Sequence, residues 1–535
     1  MRPAGPSRVR WRLALVVGVL AAGFRYLLLN VGFPNDHFVY ISGGWQMLSG
    51  DWPTRDWVDP GLPLQFLASA TAQAVLGPTL FAEGVLVSLG FGVAAALTTV
   101  VVRRLTGSVA LAVAAAALEV LILPRTYSYP KMLIYAAACA VFERHAARPT
   151  IRSMWWLSAM VVVAFLFRHD HGVFVGVGAA LAVVLPPPAP HQPGRLRRLA
   201  HLALATSLLA APYLAYVALN GGWWTYLHTG LDFAAQEAER QPHVWPAVFG
   251  AADPWRPALL YELHAIPMLA LAVVAWRRDQ ARGREALAIV IPVAVMAAAI
   301  NYSFLRDPLE SRLPDAIVPA VVLGAWLCHR AGQSARPRLT TALAVACAAV
   351  FSVSVGRVGE VAAAVRQSGL TQDWDVPTLI GRTTALLETR RPERLFPSRA
   401  SLSLRPFFSY LDRCTTLRDH LIVGGYLVEV PFFAERRFAG GQPYFGGSFA
   451  GSRASEARIL ARLAKQAVPF ALLPSDATAD FEREFPSVAR HLRERYAPLT
   501  SVRVTDELAI GILVDTQLAA AGLDPDTGWP CYVTR

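Results

Sequence analysis

From residue 13 onward, long apolar stretches alternate with short basic or mixed ones. The apolar stretches are Leu13 to Val31, Leu80 to Val102, Ser108 to Leu123, Met132 to Phe142, Met154 to Phe167, Gly172 to Leu185, Ala200 to Leu219, Leu259 to Trp276, Ala286 to Ser303, Leu313 to Cys328 and Thr340 to Val355. A helix rises about 1.5 Å per residue and needs ~20 apolar residues to cross a bilayer core. Several stretches fall short of that, so their ends are soft, and the pattern predicts about 11 helical spans. The first stretch follows Arg8-Val9-Arg10-Trp11-Arg12, as a signal peptide would, but no small-residue cleavage site closes it. It reads as an uncleaved first span. If Met154 to Leu185 is one re-entrant hairpin instead of two spans, the basic loops on either side stay on the same face.

The basic residues orient the spans. Arg103-Arg104, Arg144 to Arg152, Arg195 to Arg198, Arg277 to Arg284 and His329 to Arg338 occupy every second loop. Positively charged short loops stay on the cytoplasmic side, which puts the N-terminus inside and everything from Arg357 onward outside. Leu62 to Leu76 is apolar too, but counting it as a span would move Arg103-Arg104 outside, so it is expected to be a helix lying on the outer membrane surface.

Composition agrees with a bilayer as solvent: 54% of the 535 residues are hydrophobic and only 16% charged. The net charge of +12 comes from arginines between apolar runs. It therefore speaks for membrane orientation and against nucleic-acid binding. The expectation is a multi-pass protein of the plasma (inner) membrane. None of the five cysteines forms a CxxC pair, so a zinc ribbon or thioredoxin-type site has no support.

Beyond residue 356 the apolar runs shorten. Leu421 to Gly425 and Val468 to Leu473 read as buried strands, Ser455 to Gln466 and Phe481 to Tyr496 as helices, and Val502 to Val514 as a hairpin. The fold class is an α-helical polytopic membrane protein, residues 1–356, followed by a small extracytoplasmic α/β domain, residues 357–535. Gly440-Gly441 and Gly446-Gly447 flank Gln442-Pro443-Tyr444-Phe445 without matching a phosphate-binding motif, and read as a surface loop contacting acceptor. Cys414 and Cys531 share an oxidising compartment under this topology and are a candidate disulfide.

Chemistry concentrates in the first outer loop, residues 32–79. It holds Asn35-Asp36-His37-Phe38-Val39-Tyr40, then Gly50-Asp51-Trp52-Pro53, then Asp56-Trp57-Val58-Asp59-Pro60-Gly61-Leu62-Pro63-Leu64. Asp36 sits where the first span meets water, a setting that can turn a carboxylate into a general base. Taken alone it reads equally as a helix cap or a solvated loop residue.

In order, Asp36, Tyr40, Gly50-Asp51-Trp52-Pro53 and Pro60 to Leu64 resemble the first extracytoplasmic loop of the GT-C membrane glycosyltransferases that use polyprenyl-phosphate sugars. That superfamily includes protein O-mannosyltransferases and the aminoarabinose transferase of lipid A. The resemblance extends loosely over residues 10–355 and to the outer C-terminal domain. It departs at His37, where many members carry glutamate. It implies an inverting transfer in which Asp36 deprotonates an acceptor hydroxyl on a glycan, lipid or protein, and polyprenyl phosphate departs.

A departing phosphate needs positive charge, which cationic side chains can supply without a metal. Arg125, Lys131, Arg168 and Arg306 are the outward candidates, and His37, Tyr40, Asp51, Asp56, Tyr127, His169, Asp170 and His171 are candidate substrate contacts. His169, Asp170 and His171 are also of metal-ligand type, with Asp36 a conceivable fourth group. Adjacent side chains on one tip rarely converge and no Glu-x-x-His spacing is present, so neither a divalent metal nor another cofactor is expected. Arg25, Glu83 and Glu119 lie inside spans, where they either pair with one another or line a donor cavity. Asn220 to Tyr226 is aromatic-rich, fit for interfacial anchoring first and sugar stacking second.

Two other classes compete. A transporter or flippase of lipid-linked precursors would favour repeated halves and midplane polar sites; here polar groups gather at one face. A non-catalytic assembly protein would use the aromatic loops as contact surfaces.

Overall fold

The computed structural model describes residues 8–29, 33–187, 193–240, 245–247, 251–276, 286–303, 305, 313–369, 375–388, 397–446 and 453–533. Helices α1 (Arg8–Leu28), α2 (Asn35–Leu48), α3 (Pro63–Leu76), α4 (Leu80–Thr106), α5 (Val109–Leu121), α6 (Tyr129–Ala147), α7 (Ile151–Phe167), α8 (His169–Val184), α9 (Arg195–Asn220), α10 (Trp223–Arg240), α11 (Trp255–Trp276), α12 (Ile291–Ser303), α13 (Ile317–Ala331) and α14 (Pro337–Gly359) follow in order. Every apolar stretch of the sequence falls on one of them. By length and composition, residues 11–28, α4, α9, α11 and residues 337–367 are long and apolar enough to cross a membrane, while α5, α7, α8, α13 and residues 288–303 are apolar but shorter. The chain is a membrane protein. At 14 residues, α3 spans about 21 Å, too short to cross, which agrees with leaving Leu62 to Leu76 out of the spans.

The chain forms two compact units that do not follow chain order: residues 1–29, 85–215 and 238–373 in one, residues 30–84, 216–237 and 374–535 in the other. In the first, α6, α7, α8 and α12 pack together, and α5, α11, α13 and α14 form a second group. The latter encloses a cavity of about 1220 Å³ lined by apolar residues such as Leu111, Ile266, Leu269 and Phe351.

In the second unit a five-stranded sheet has the order β2-β1-β3-β5-β4. Strand β1 (His420–Val423) is parallel to both β2 (Arg437–Phe438) and β3 (Phe470–Pro474), and β5 (Ala509–Asp515) is antiparallel to β3 and to β4 (Tyr496–Arg503). The continuous apolar run of β1 suits a strand flanked by parallel neighbours and covered on its faces. Ile422, Phe445, Ile459, Leu463, Phe481, Phe485 and Leu492 form the core beside it. The helix expected over Phe481 to Tyr496 divides into Thr478–Glu484 and Pro486–Arg495, because proline cannot continue a helix but can begin one. The disulfide Cys414–Cys531, with Cα atoms 4.4 Å apart, ties the end of the chain into this unit.

The segment from Asn35 to Leu76 and the C-terminal part interlock within the unit. Ser42 donates to the Val428 carbonyl at 2.9 Å. Gln46 donates to the Arg436 carbonyl and accepts from the Phe438 amide, both at 3.2 Å, so its amide extends the edge strand β2. Trp57 sits edge-on against Phe66 and Phe438.

The glycine-rich stretch is corrected by this packing: residues 439–446 are buried and not a surface loop. The Gly441 carbonyl accepts from the Val58 amide at 3.0 Å. Gly441 has φ +72°, and a Cβ there would lie 2.5 Å from the Asp56 carbonyl oxygen, so only glycine fits this close approach.

Candidate active site

Asn35 to Leu48, expected as loop, forms helix α2, and Asp36 stands in its first turn, where the helix dipole favours a negative charge. The residue is half-buried. Its Oδ1 accepts a hydrogen bond of 2.8 Å from the hydroxyl of Tyr426. Tyr426 follows Gly424 and Gly425 at the carboxyl end of β1. There the Gly424 amide bonds the Leu472 carbonyl and the Gly425 amide the Phe445 carbonyl, each at 2.8 Å. Gly425, at φ +69°, turns the chain out of the strand. The Tyr426 ring packs edge-on against Tyr444, with centroids 5.0 Å apart. The Tyr426 side chain is partly buried, with 44% of its surface open. That burial, and next the Asp36 charge, push the phenol above its usual range, so it remains a donor.

Neighbouring side chains on a helix diverge by about 100°, and His37 therefore faces elsewhere. It is fully buried, with Nε2 3.2 Å from Glu83 Oε2. Gln73 completes the group by donating to the Ile41 carbonyl at 3.1 Å and to Glu83 at 3.4 Å. Glu83 is thus paired with His37, and not with Arg25 or Glu119. Arg25 donates to the Pro124 carbonyl and lies over the Phe91 ring, and Glu119 is buried on α5.

Tyr40 shares the Asp36 face one turn on, near Phe66 and His37. Asp51 pairs with Arg437 at 3.1 Å; burial raises its pKa and Arg437 opposes that rise. Asp56 accepts from the Trp52 amide and the Arg55 Nε, both at 2.7 Å, closing the Trp52–Asp56 turn.

The first unit carries the cations. Lys131 is buried and bonded to the buried Asp315. Arg168, at the single-residue junction of α7 and α8, forms a two-pronged pair with Asp170, its Nε at 2.6 Å. The Tyr135 hydroxyl lies 2.7 Å from His171 Nδ1 in a buried contact, and His169 stacks on Phe165. Arg125 is exposed and donates to the Tyr127 hydroxyl at 3.1 Å, while Lys131 Nζ lies 5.7 Å from the centre of the same ring. Arg306 lies outside the described residues. Among the described residues, no group of three or more His, Cys, Asp or Glu side chains converges as a metal site would. Trp223 and Trp224 begin α10 and are exposed.

Sequence reasoning reached Asp36 and the cations but missed Tyr426, Asp315 and Arg437. Tyr426 is 390 positions from Asp36, and only the glycine pair before it marks a turn.

No family model matches the chain, and no curated protein does. Among solved structures, the chain is similar to the crystal structure of ArnT from Cupriavidus metallidurans bound to undecaprenyl phosphate, with a TM-score of 0.49 and 16% identity over 95% of this chain and 98% of that one.

Proposed function

We propose that the protein is an inverting membrane glycosyltransferase that moves a sugar from a polyprenyl-phosphate donor to an extracytoplasmic glycan, lipid or protein hydroxyl. The observation that carries this reading is the Asp36 carboxylate, half-buried in the first turn of α2, with its Oδ1 accepting a hydrogen bond from the Tyr426 phenol. A carboxylate within hydrogen-bond reach of an acceptor hydroxyl can serve as its general base. The order of residues in its segment, from Asp36 and Tyr40 to Pro60 and Leu64, supports the same reading.

In this scheme Asp36 takes the proton of the acceptor hydroxyl, the oxygen attacks the anomeric carbon, and the bond to the phosphate oxygen breaks with inversion. The released polyprenyl phosphate carries the electron pair away and is met by cationic side chains. Arg125 is the exposed candidate, while Lys131 and Arg168 are engaged with Asp315 and Asp170 and act first as framework. The basic loops support an orientation with Asp36 and the C-terminal part on the outer side of the plasma membrane.

The test is transfer of labelled sugar from a panel of polyprenyl-phosphate donors by purified protein in matched membranes. Asp36→Asn is expected to lower kcat by roughly 10²–10⁴-fold with donor binding retained. Equal transfer by wild type and a folded Asp36→Asn would sink the base assignment, and no transfer from any donor by folded wild type would turn the reading toward a transporter.

A further inference from the structure

Asp36 is a short side chain at the start of a helix, where several rotamers are open to it. A base acts well only when its carboxylate is already oriented toward the proton it removes. In this unit the Tyr426 hydroxyl reaches Asp36 Oδ1 at 2.8 Å from a different part of the chain. Both ends of that contact are anchored. Helix α2 is fixed to the C-terminal part by Ser42, Gln46 and the Asp51–Arg437 pair, and its first turn by His37 on Glu83.

Tyr426 stands at the carboxyl end of β1, whose parallel neighbours β2 and β3 lie on opposite sides. The chain passes from β1 to β2 on one side and then crosses to β3 on the other. In open α/β sheets such a reversal leaves a crevice beyond the strand ends, the usual place for ligand contacts. The tight Gly424-Gly425 turn delivers the tyrosine there: a Cβ on Gly424 would lie 2.6 Å from the Leu473 side chain. A phenol donating to one carboxylate oxygen fixes the orientation of the group.

We infer that Tyr426 is a positioning residue for Asp36, supplied by the C-terminal α/β part, so that this part completes the catalytic site. The inference rests on the proposed role of Asp36 as base. Steady-state transfer is measured in matched membranes for wild type, Tyr426→Phe, Tyr426→His, Asp36→Asn and Asp36→Asn/Tyr426→Phe, with a melting curve for each. Tyr426→Phe keeps the ring contact with Tyr444 and is expected to lose roughly tenfold in kcat, the effect of one hydrogen bond to a charged group, with donor KM within about twofold. Tyr426→His, which retains a ring donor, recovers part of the loss.

In the residual activity of Asp36→Asn, adding Tyr426→Phe has no further effect, since the contact acts through Asp36. Wild-type kcat in Tyr426→Phe, or a loss that multiplies fully in the double variant, overturns the positioning role while leaving Asp36 as base. Full activity in Asp36→Asn overturns both. Should Tyr426→Phe melt far below wild type, the comparison of Tyr426→His with wild type decides in its place: a stable variant with a KM effect alone refutes positioning.

Discussion

Lys131 and Arg168 in the first unit and Asp36 in the second stand in different surroundings. In the first, Lys131 is buried against Asp315 and Arg168 is clasped by Asp170. In the second, the carboxylate at the head of α2 meets a phenol, while the fully buried histidine beside it takes a glutamate. A buried charge must be paired or the structure bears its desolvation, so the Lys131–Asp315 pair answers a demand of packing. The half-buried Asp36 takes a hydrogen bond from a neutral donor. Under the proposed function, Asp36 is the reactive group and Lys131 and Arg168 belong to the framework.

The sharpest way to break this contrast is to remove the reactive charge. Asp36→Asn should abolish nearly all turnover at unchanged melting temperature, and an equally large loss of stability would place Asp36 with the framework. Lys131→Met should do the reverse. Leaving Asp315 buried without its partner should destabilise the first unit by about 3–5 kcal/mol, read by thermal unfolding in lipid, and Lys131→Met/Asp315→Leu should recover most of it. Poor recovery would mean that Lys131 has a task beyond pairing.

Arg125→Gln tests the exposed cation. Donor KM should rise roughly tenfold at unchanged stability, as expected for one charged contact to phosphate. An unchanged KM would remove Arg125 from the phosphate site.

The smallest effect is a pH dependence. Among the described residues the buried Nδ1 of His420 has no hydrogen-bond partner, and burial, followed by the Arg437 charge, lowers its pKa from 6.5 to about 4. The unfolded chain therefore takes up the proton first, and the stability contributed by neutral His420 is complete above about pH 6.5 and falls as the pH drops toward 4. His420→Gln should flatten the melting temperature of the second unit across that window. An unaltered pH profile would refute this assignment.

Much of the fold was legible because its signals are local. Apolar runs mark the membrane helices, and the alternation of basic loops kept Leu62 to Leu76 out of the spans. Proline at 486 was visible as a break, yet the apolar spacing around it masked the division into two helices. The loop reading of Asn35 to Leu48 failed because Gly43 and Gly44 lower helix propensity, while burial of Phe38, Ile41 and Trp45 restores the helix. The buried glycine stretch was misread for a related reason: the hydrogen bond from Val58 that covers it comes from a segment hundreds of positions earlier.

The sequence by itself determined the solvent of the chain, the succession of its membrane helices and the α/β character of its C-terminal part, and it singled out Asp36 as the carboxylate proposed for base chemistry. Those follow from hydropathy, periodicity and residue type, which act over a few turns of chain. Only the tertiary structure decided which partner each of these charged groups meets, because Asp315, Glu83, Arg437 and Tyr426 are brought in by packing. Side-chain pairing depends on proximity in space, and no local pattern in a sequence encodes contacts across nearly 400 residues.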